Sequence, residues 1–263
     1  MNADRELQRR IWRRWRRARG IESIDAERFA LGGVPAVAEE IAGRLIILPS
    51  DPELSLIEFD QEFWEYFPNP SPDPVTGGIT DFGRERRSLS DCAVLYDPDW
   101  RQSAAASSSY FALHRSGTLD LTFPENYAPR DGNKQKAFHL IRIVGWTWAA
   151  MVRYSEFCQK YEIQGPFEIV LALRETGGAA LGGFAEGWRD PFRNGFEARD
   201  LPLCVEPHVL LRRELDAWPV GHEREEAFRF GSWIEDAWNH QKPRFIANRG
   251  EYEGRFDPRP YRH

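Results

Sequence analysis

The sequence predicts an α+β protein in which a mixed sheet packs on a long buried central helix, preceded by a basic amphipathic helix. Two runs, 110–123 and 167–173, have the alternating or continuous apolar pattern of strands. Residues 136–160 are apolar around most of a helical circumference, which is typical of a buried helix. The chain has 263 residues, 41% hydrophobic and 29% charged, so its composition is globular. We therefore expect a single α+β domain over 21–263.

Residues 1–20 predict the basic amphipathic helix. Leu7, Ile11, Trp15 and Ala18 recur at helical spacing and form an apolar stripe. The stretch 4–19 holds eight Arg and two acidic residues, a net charge of +6 in a chain whose total is −6, so the residues after it carry −12. The sequence thus predicts a basic arm on an acidic body.

The next 60 residues predict short elements and a loop. Ala and Glu dominate 36–42, which favours a short helix. The apolar runs 44–48 and 54–59 flank a Pro/Asp cluster and predict a hairpin. Four Pro and two Gly in 67–78 predict a Pro-rich surface loop.

The middle of the chain holds the clearest patterns. Residues 110–123 predict a hairpin that turns at Ser116 and Gly117. The helix predicted over 136–160 includes His139, which we interpret as a core histidine. The run 167–173 predicts a strand covered on both faces.

The last third predicts a Gly-rich loop and two helices. The loop covers 176–187, and helical spacing of apolar residues indicates helices over 210–218 and 222–239. The polar tail 248–263 is expected to be an extended arm.

The strongest functional signal is the Arg/Trp-rich arm. Guanidinium and indole groups suit phosphates, stacked bases, an anionic membrane surface or an acidic groove on a protein. Docking on the chain's own acidic body, or on a second copy, would satisfy the pattern equally well. The acidic body argues against nucleic-acid binding across the whole fold. The predicted partner-binding residues are Arg9, Arg10, Trp12, Arg13, Arg14, Trp15, Arg16 and Arg17.

No motif that fixes a reaction is present. The chain lacks the phosphate-loop and dinucleotide glycine patterns, and none of its six His forms H-E-x-x-H. We therefore predict no metal and no cofactor, and name no catalytic residue. The alternative is a hydrolase for a phosphorylated or nucleotide substrate near the glycines of 177–187 and His208, where Glu168, Glu175 and Glu186 are the acids to test.

Localisation follows from cysteine usage and apolar runs. The three Cys have no disulfide or zinc spacing, which favours a reducing cytoplasm. The N-terminus lacks the apolar region of a signal peptide. The longest apolar stretch, 143–152, is too short to cross a bilayer, so no transmembrane segment is predicted.

Two segments, EPHVLLRRELDAWP at 206–219 and FGSWIEDAW at 230–238, carry a resemblance. Residues 110–260 resemble the region downstream of Schlafen/AlbA-type DNA-binding domains in bacterial proteins. The resemblance implies an accessory or sensor role in a bacterial nucleic-acid or stress-response system, including defence against phage. The AlbA-type domain itself is not recognisable in this chain, and no site residue is carried over.

These observations lead to one hypothesis of function. We expect a non-enzymatic cytoplasmic interaction or sensor module that docks a partner protein, or alternatively nucleic acid, through the Arg/Trp-rich helix. A purely structural subunit of a larger complex would share this partner prediction.

Overall fold

The computed structural model describes residues 43–50, 56–68, 85–88, 92–98, 107–123, 126–127, 137–182, 203–239 and 254–256. The helices predicted over 1–20 and 36–42 and most of the Pro-rich loop 67–78 lie outside these ranges. The helices are α1 (Gln61–Tyr66), α2 (Leu140–Lys160) and α3 (Glu223–Ala237). The strands, in chain order, are β1 (Gly43–Leu48), β2 (Glu85–Ser88), β3 (Cys92–Pro98), β4 (Ser107–His114), β5 (Leu119–Phe123), β6 (Asn126–Tyr127), β7 (Ala137–His139), β8 (Phe167–Arg174), β9 (Ala180–Gly182) and β10 (His208–Leu215).

The strands of the described residues form two sheets. The larger has seven strands in the order β10-β8-β1-β5-β4-β3-β2, and every neighbouring pair in it is antiparallel. The smaller has the order β6-β7-β9 and is mixed, with β7 and β9 parallel. The α+β prediction is therefore confirmed.

Helix α2 is the buried centre of the fold. Fifteen of its 21 residues are buried. It shares one core with the side chains that alternate onto the first face of the large sheet, such as Leu45, Phe111, Leu121 and Leu171. The helix begins at Leu140 and not at residue 136, because 137–139 pair as β7 between β6 and β9. His139 thus belongs to a strand, and its side chain lies outside the described part.

The second face of the sheet is also buried at its centre. Ile46, Leu48 and Val170 form a separate apolar cluster there. Arg44 and Asp120 lie on the same face, at 2% and 4% exposure. The prediction that 167–173 is a strand covered on both faces is confirmed, since seven of the eight β8 residues are buried.

The hairpin predicted over 110–123 is confirmed as β4 and β5. Its turn is closed by the His114 amide, which donates to Thr118 O at 2.8 Å, and the Gly117 amide, which donates to His114 O at 2.9 Å. Gly117 has φ +81°, and a Cβ there would lie 2.9 Å from Ile163. The turn therefore needs glycine for its backbone conformation and for space.

The hairpin predicted between 44–48 and 54–59 is wrong. Both edges of β1 are paired, one with β5 and one with β8. The described residues 56–60 form no strand and are held by two amides, of Leu56 and Ile57, which donate to Arg115 O. They lead into α1, whose N-cap Asp60 accepts from the Phe63 amide at 2.8 Å.

The helix predicted over 210–218 is also wrong, because these residues form most of strand β10. The sequence HVLLRREL has three consecutive apolar residues followed by three charged ones, so neither a helical nor an alternating period is clear. Pairing with β8 over eight residues decides the conformation.

The helix predicted over 222–239 is confirmed as α3. It packs against α2 and contributes Phe230 and Ile234 to the core. Of the tail 248–263 only 254–256 are described, where buried Phe256 lies 5.6 Å from Trp148 between ring centroids. None of the described helices has both the length and the apolar composition needed to cross a bilayer.

Candidate interaction surface at the edge of the sheet

Strand β10 is one edge of the seven-stranded sheet and pairs, among the described residues, with β8 alone. Its eight residues follow β8 without a register shift. Val209 and Leu215 are buried against the core, whereas the alternate side chains project from the second face and are exposed. The exposed set is His208, Leu210, Arg212 and Glu214.

On the second face of the large sheet, the exposure of side chains changes sharply between β8 and β10. Glu168, Val170 and Ala172 of β8 are 1%, 2% and 4% exposed. Their partners directly across the strand pair, Glu214, Arg212 and Leu210, are exposed. The second face is therefore buried as far as β8 and opens to solvent at β10.

Exposed apolar side chains also precede β10. Leu203 forms a single bridge to Ala180 and is 44% exposed, and Val205 is 90% exposed. Cys204 between them is buried, and its amide donates to Ala179 O at 3.0 Å. We call Leu203, Val205, His208, Leu210, Arg212 and Glu214 the β10 edge surface.

The other side of β10 is anchored to α3. Arg213 Nε lies 3.1 Å from Glu226 Oε2, and its Nη2 lies 3.4 Å from Glu226 Oε1. Glu226 is nearly buried and also lies 3.4 Å from Arg229 Nε. This bidentate pair fixes the strand to the body while the edge surface faces away from it.

The Gly-rich turn after β8 is where the alternative hypothesis places a site for a phosphorylated substrate. A cradle for phosphate needs backbone N–H groups that point at the ligand. In the described part of the loop, four of the backbone N–H groups between 175 and 179 already donate hydrogen bonds within the protein. The Glu175 amide donates to His208 Nδ1, that of Thr176 to Pro207 O, that of Gly178 to Cys204 O and that of Ala179 to Thr176 O. These contacts argue against a phosphate cradle at 175–179.

The acids proposed for that alternative are not brought together. Glu168 is buried within β8, whereas Glu175 is exposed beyond its end, about 23 Å further along an extended strand. Glu186 lies outside the described residues. His208 does meet the Gly-rich turn, and because its Nδ1 accepts the Glu175 amide, the neutral ring carries its proton on Nε2.

A second buried constellation joins α2 to the turn before α3. The Ser155 hydroxyl donates to Glu223 Oε1 and accepts from Trp218 Nε1 at 2.5 Å. Glu223 also accepts the Gly221 amide at 3.1 Å. The side chains of Ser155, Trp218 and Glu223 are buried, so we interpret this chain of hydrogen bonds as structural.

The cysteines and carboxylates of the described residues form no metal centre: no group of three or more His, Cys, Asp or Glu side chains there could hold an ion. The three cysteines all lie in the described residues, are buried and form no disulfide. Burial raises the pKa of the Cys158 thiol to about 12. A thiol in that state is a poor nucleophile and metal ligand.

The predicted partner-binding residues, 9, 10 and 12–17, lie outside the described residues. The β10 edge surface was not predicted from the sequence, because residues 210–218 were assigned to a helix. The EPHVLLRRELDAWP segment that carries the resemblance contains most of this surface.

Comparisons with protein-family models, with curated proteins and with solved structures return no match for this chain. The resemblance stated from the sequence therefore stays a prediction.

Proposed function

We propose that this chain is an interaction module that binds a partner protein. The observation that carries the proposal is the β10 edge surface, a regular eight-residue edge strand with exposed apolar and charged side chains. An edge strand offers a row of backbone N–H and C=O groups that can pair with a strand from another chain.

The contrast between the two edges of the sheet supports this proposal. The opposite edge, β2, has four residues, ERRS, and all are exposed. Short, charged edges of this kind are a common way to prevent pairing with other chains. Strand β10 is twice as long, has no proline, and is preceded by the exposed side chains of Leu203 and Val205.

The Arg/Trp-rich segment supplies a second contact in this proposal. Its guanidinium and indole groups suit an acidic groove on the partner, and nucleic acid is the other occupant that the chemistry allows. The buried cysteines, none of which forms a disulfide, agree with a reducing cytoplasm, where we place the module. A sensor role in a bacterial defence or stress system, which the resemblance implies, is part of the same proposal.

The test is affinity purification of the full-length chain from its host, with and without nuclease, followed by reconstitution with each purified protein that is retained. Two variants separate the surfaces: Leu210→Asp on the edge, and Arg13→Glu with Arg14→Glu on the arm. We expect a nuclease-resistant partner that is lost with either variant. Retention of the same proteins by both variants would overturn the proposal, and nuclease-sensitive retention lost with the arm variant would assign the arm to nucleic acid.

A further inference from the structure

We propose that residues 254–256 form a strap that locks the first turn of α3 and, through that turn, holds strand β10 in place. In the strap the chain has returned from the end of α3 to its beginning, two points that are about 22 Å apart in a 15-residue helix. The inference stands on contacts within the chain. It rests on the proposed function only in its consequence for partner binding.

Three contacts among the described residues hold the strap. The Phe256 side chain is buried, and its ring centroid lies 5.6 Å from that of Trp148 in α2. The Phe256 amide donates to Arg224 O at 3.1 Å, and Arg255 Nε lies 3.1 Å from Glu225 Oε1. The Arg224 guanidinium lies over the same Trp148 ring, 5.0 Å from its centroid. The strap therefore ties the first turn of α3 to the central helix.

The same turn of α3 anchors β10 and the segment that follows this strand. Glu226 makes the bidentate pair with Arg213 of β10. Glu223 accepts from the Ser155 hydroxyl of α2 and from the Gly221 amide. Successive side chains of a helix point about 100° apart, so the residues of one turn reach different neighbours. A single turn of α3 thus connects the strap, the central helix and the edge of the sheet.

The beginning of α3 lacks the usual side-chain cap. Its N-cap residue, His222, makes no side-chain cap hydrogen bond. A helix end without such a cap opens more easily than the middle of the helix, so contacts with distant residues must keep the first turn closed. The strap supplies two of these contacts directly, to Arg224 and Glu225. We therefore expect loss of the strap to loosen this turn and, with it, the pair that fixes β10.

The consequence for partner binding follows from linkage. When the strap orders β10, less conformational entropy is lost as a partner binds the β10 edge surface. A partner bound there must in turn stabilise the docked strap, because coupling between two sites is reciprocal. The docked strap thus favours binding at the edge, and the released strap opposes it.

The test measures backbone hydrogen exchange of the full-length chain by mass spectrometry, with Phe256→Ala as the variant that removes the buried anchor. We expect exchange over 223–226 and 208–215 to rise at least about tenfold, while the β4-β5 hairpin exchanges as in the wild type. Phe59→Ala is the matched control, because it removes a ring that packs on Phe63 of α1, and it should leave both segments unchanged. Arg255→Glu, at an exposed position, should raise exchange in the same two segments by a smaller factor.

Unchanged exchange over 208–215 in Phe256→Ala would overturn the strap as an anchor of β10. An equal rise in the hairpin would also overturn it, because Phe256 would then support the core as a whole. If Phe256→Ala does not fold, Arg255→Glu decides by the same comparison.

These readouts need no partner, so failure of this inference is distinguishable from failure of the proposed function. If exchange changes as expected and Leu210→Asp still retains every partner, the strap stands and the proposed function is wrong. If exchange over 208–215 is unchanged and Leu210→Asp loses its partner, the proposed function stands and the strap is wrong.

Discussion

Arg44 and Asp120 form a bidentate ion pair across β1 and β5, with Nε 2.8 Å from Oδ1 and Nη2 2.7 Å from Oδ2. The two residues are diagonal neighbours, because Arg44 lies opposite Thr122 and Asp120 lies opposite Ile46. Both are buried on the second face of the sheet. A charge pair in such a place is strongly coupled, since loss of either partner leaves the other charged and buried.

The first prediction concerns this pair. Asp120→Asn or Arg44→Met should lower the free energy of unfolding by about 3–5 kcal/mol, whereas the double variant Arg44→Met/Asp120→Leu should recover most of the loss. Urea denaturation measures all three. The control is Glu62→Gln, which removes an exposed partner of Lys160 and should cost at most about 1 kcal/mol. If Asp120→Asn lowers the free energy of unfolding as little as Glu62→Gln does, the buried ion pair is contradicted.

The second prediction concerns Ser155. Replacing it with Ala removes the hydroxyl between Glu223 and Trp218 Nε1 and leaves two buried polar groups without that partner. We expect a loss of about 1–3 kcal/mol in unfolding free energy and a changed Trp218 emission. Ser232→Ala, on the half-buried side of α3, should stay within about 0.5 kcal/mol of wild type. Equal effects at the two serines would show that the hydrogen-bond chain contributes nothing specific.

The third prediction separates backbone strain from crowding. Gly117 and Gly178 both have positive φ, but a Cβ at Gly117 would lie 2.9 Å from Ile163, whereas a Cβ at Gly178 would have nothing within 4 Å. Gly178→Ala should cost about 1–2 kcal/mol from its backbone conformation alone. Gly117→Ala should cost clearly more. Thermal or urea unfolding of the two variants would refute the steric contact if their losses were equal.

The fourth prediction concerns stability at alkaline pH. Burial raises the pKa of Tyr154 well above its usual 10.0 and that of Cys158 from 9.0 to about 12. Unfolding releases these protons at the ordinary values, so the contribution of the two groups is fully present below about pH 9 and is lost as the pH rises toward 12. Cys158→Ala and Tyr154→Phe should each make stability fall less as the pH rises, measured as the urea concentration at the unfolding midpoint from neutral to alkaline pH. If the urea midpoint falls with pH as steeply in both variants as in the wild type, neither group stays protonated in the folded state.

Local pattern was sufficient for several elements of this fold. Helices α2 and α3, the β4-β5 hairpin and strand β8 were all predicted close to their observed bounds, because their apolar periods are clear and their turn residues are diagnostic. The start of α2 was predicted four residues early, since nothing in the apolar pattern distinguishes a helical turn from the short strand β7 that precedes it.

The candidate site shows the limit of that approach. Strand β10 has the buried strand β8 on one side and, among the described residues, no strand on the other. Its sequence of apolar and then charged residues has no single period. Composition does not predict which side chains of β10 are exposed, because Glu168 of β8 is buried whereas Glu214 of β10, directly opposite, is exposed. These environments depend on pairing with distant segments, because β8 pairs with β1 on one side and with β10 on the other.

The amino-acid sequence alone established the fold class, the central helix, the charge contrast between arm and body, and the lack of a recognised catalytic motif. These are properties of short windows or of total composition. The strand that became the sheet edge, the ion pair of Arg44 and Asp120 and the amide contacts that fill the Gly-rich turn depend on pairing between distant segments. Long-range pairing decides these features because a strand satisfies its backbone hydrogen bonds only against a neighbour that its own sequence does not specify.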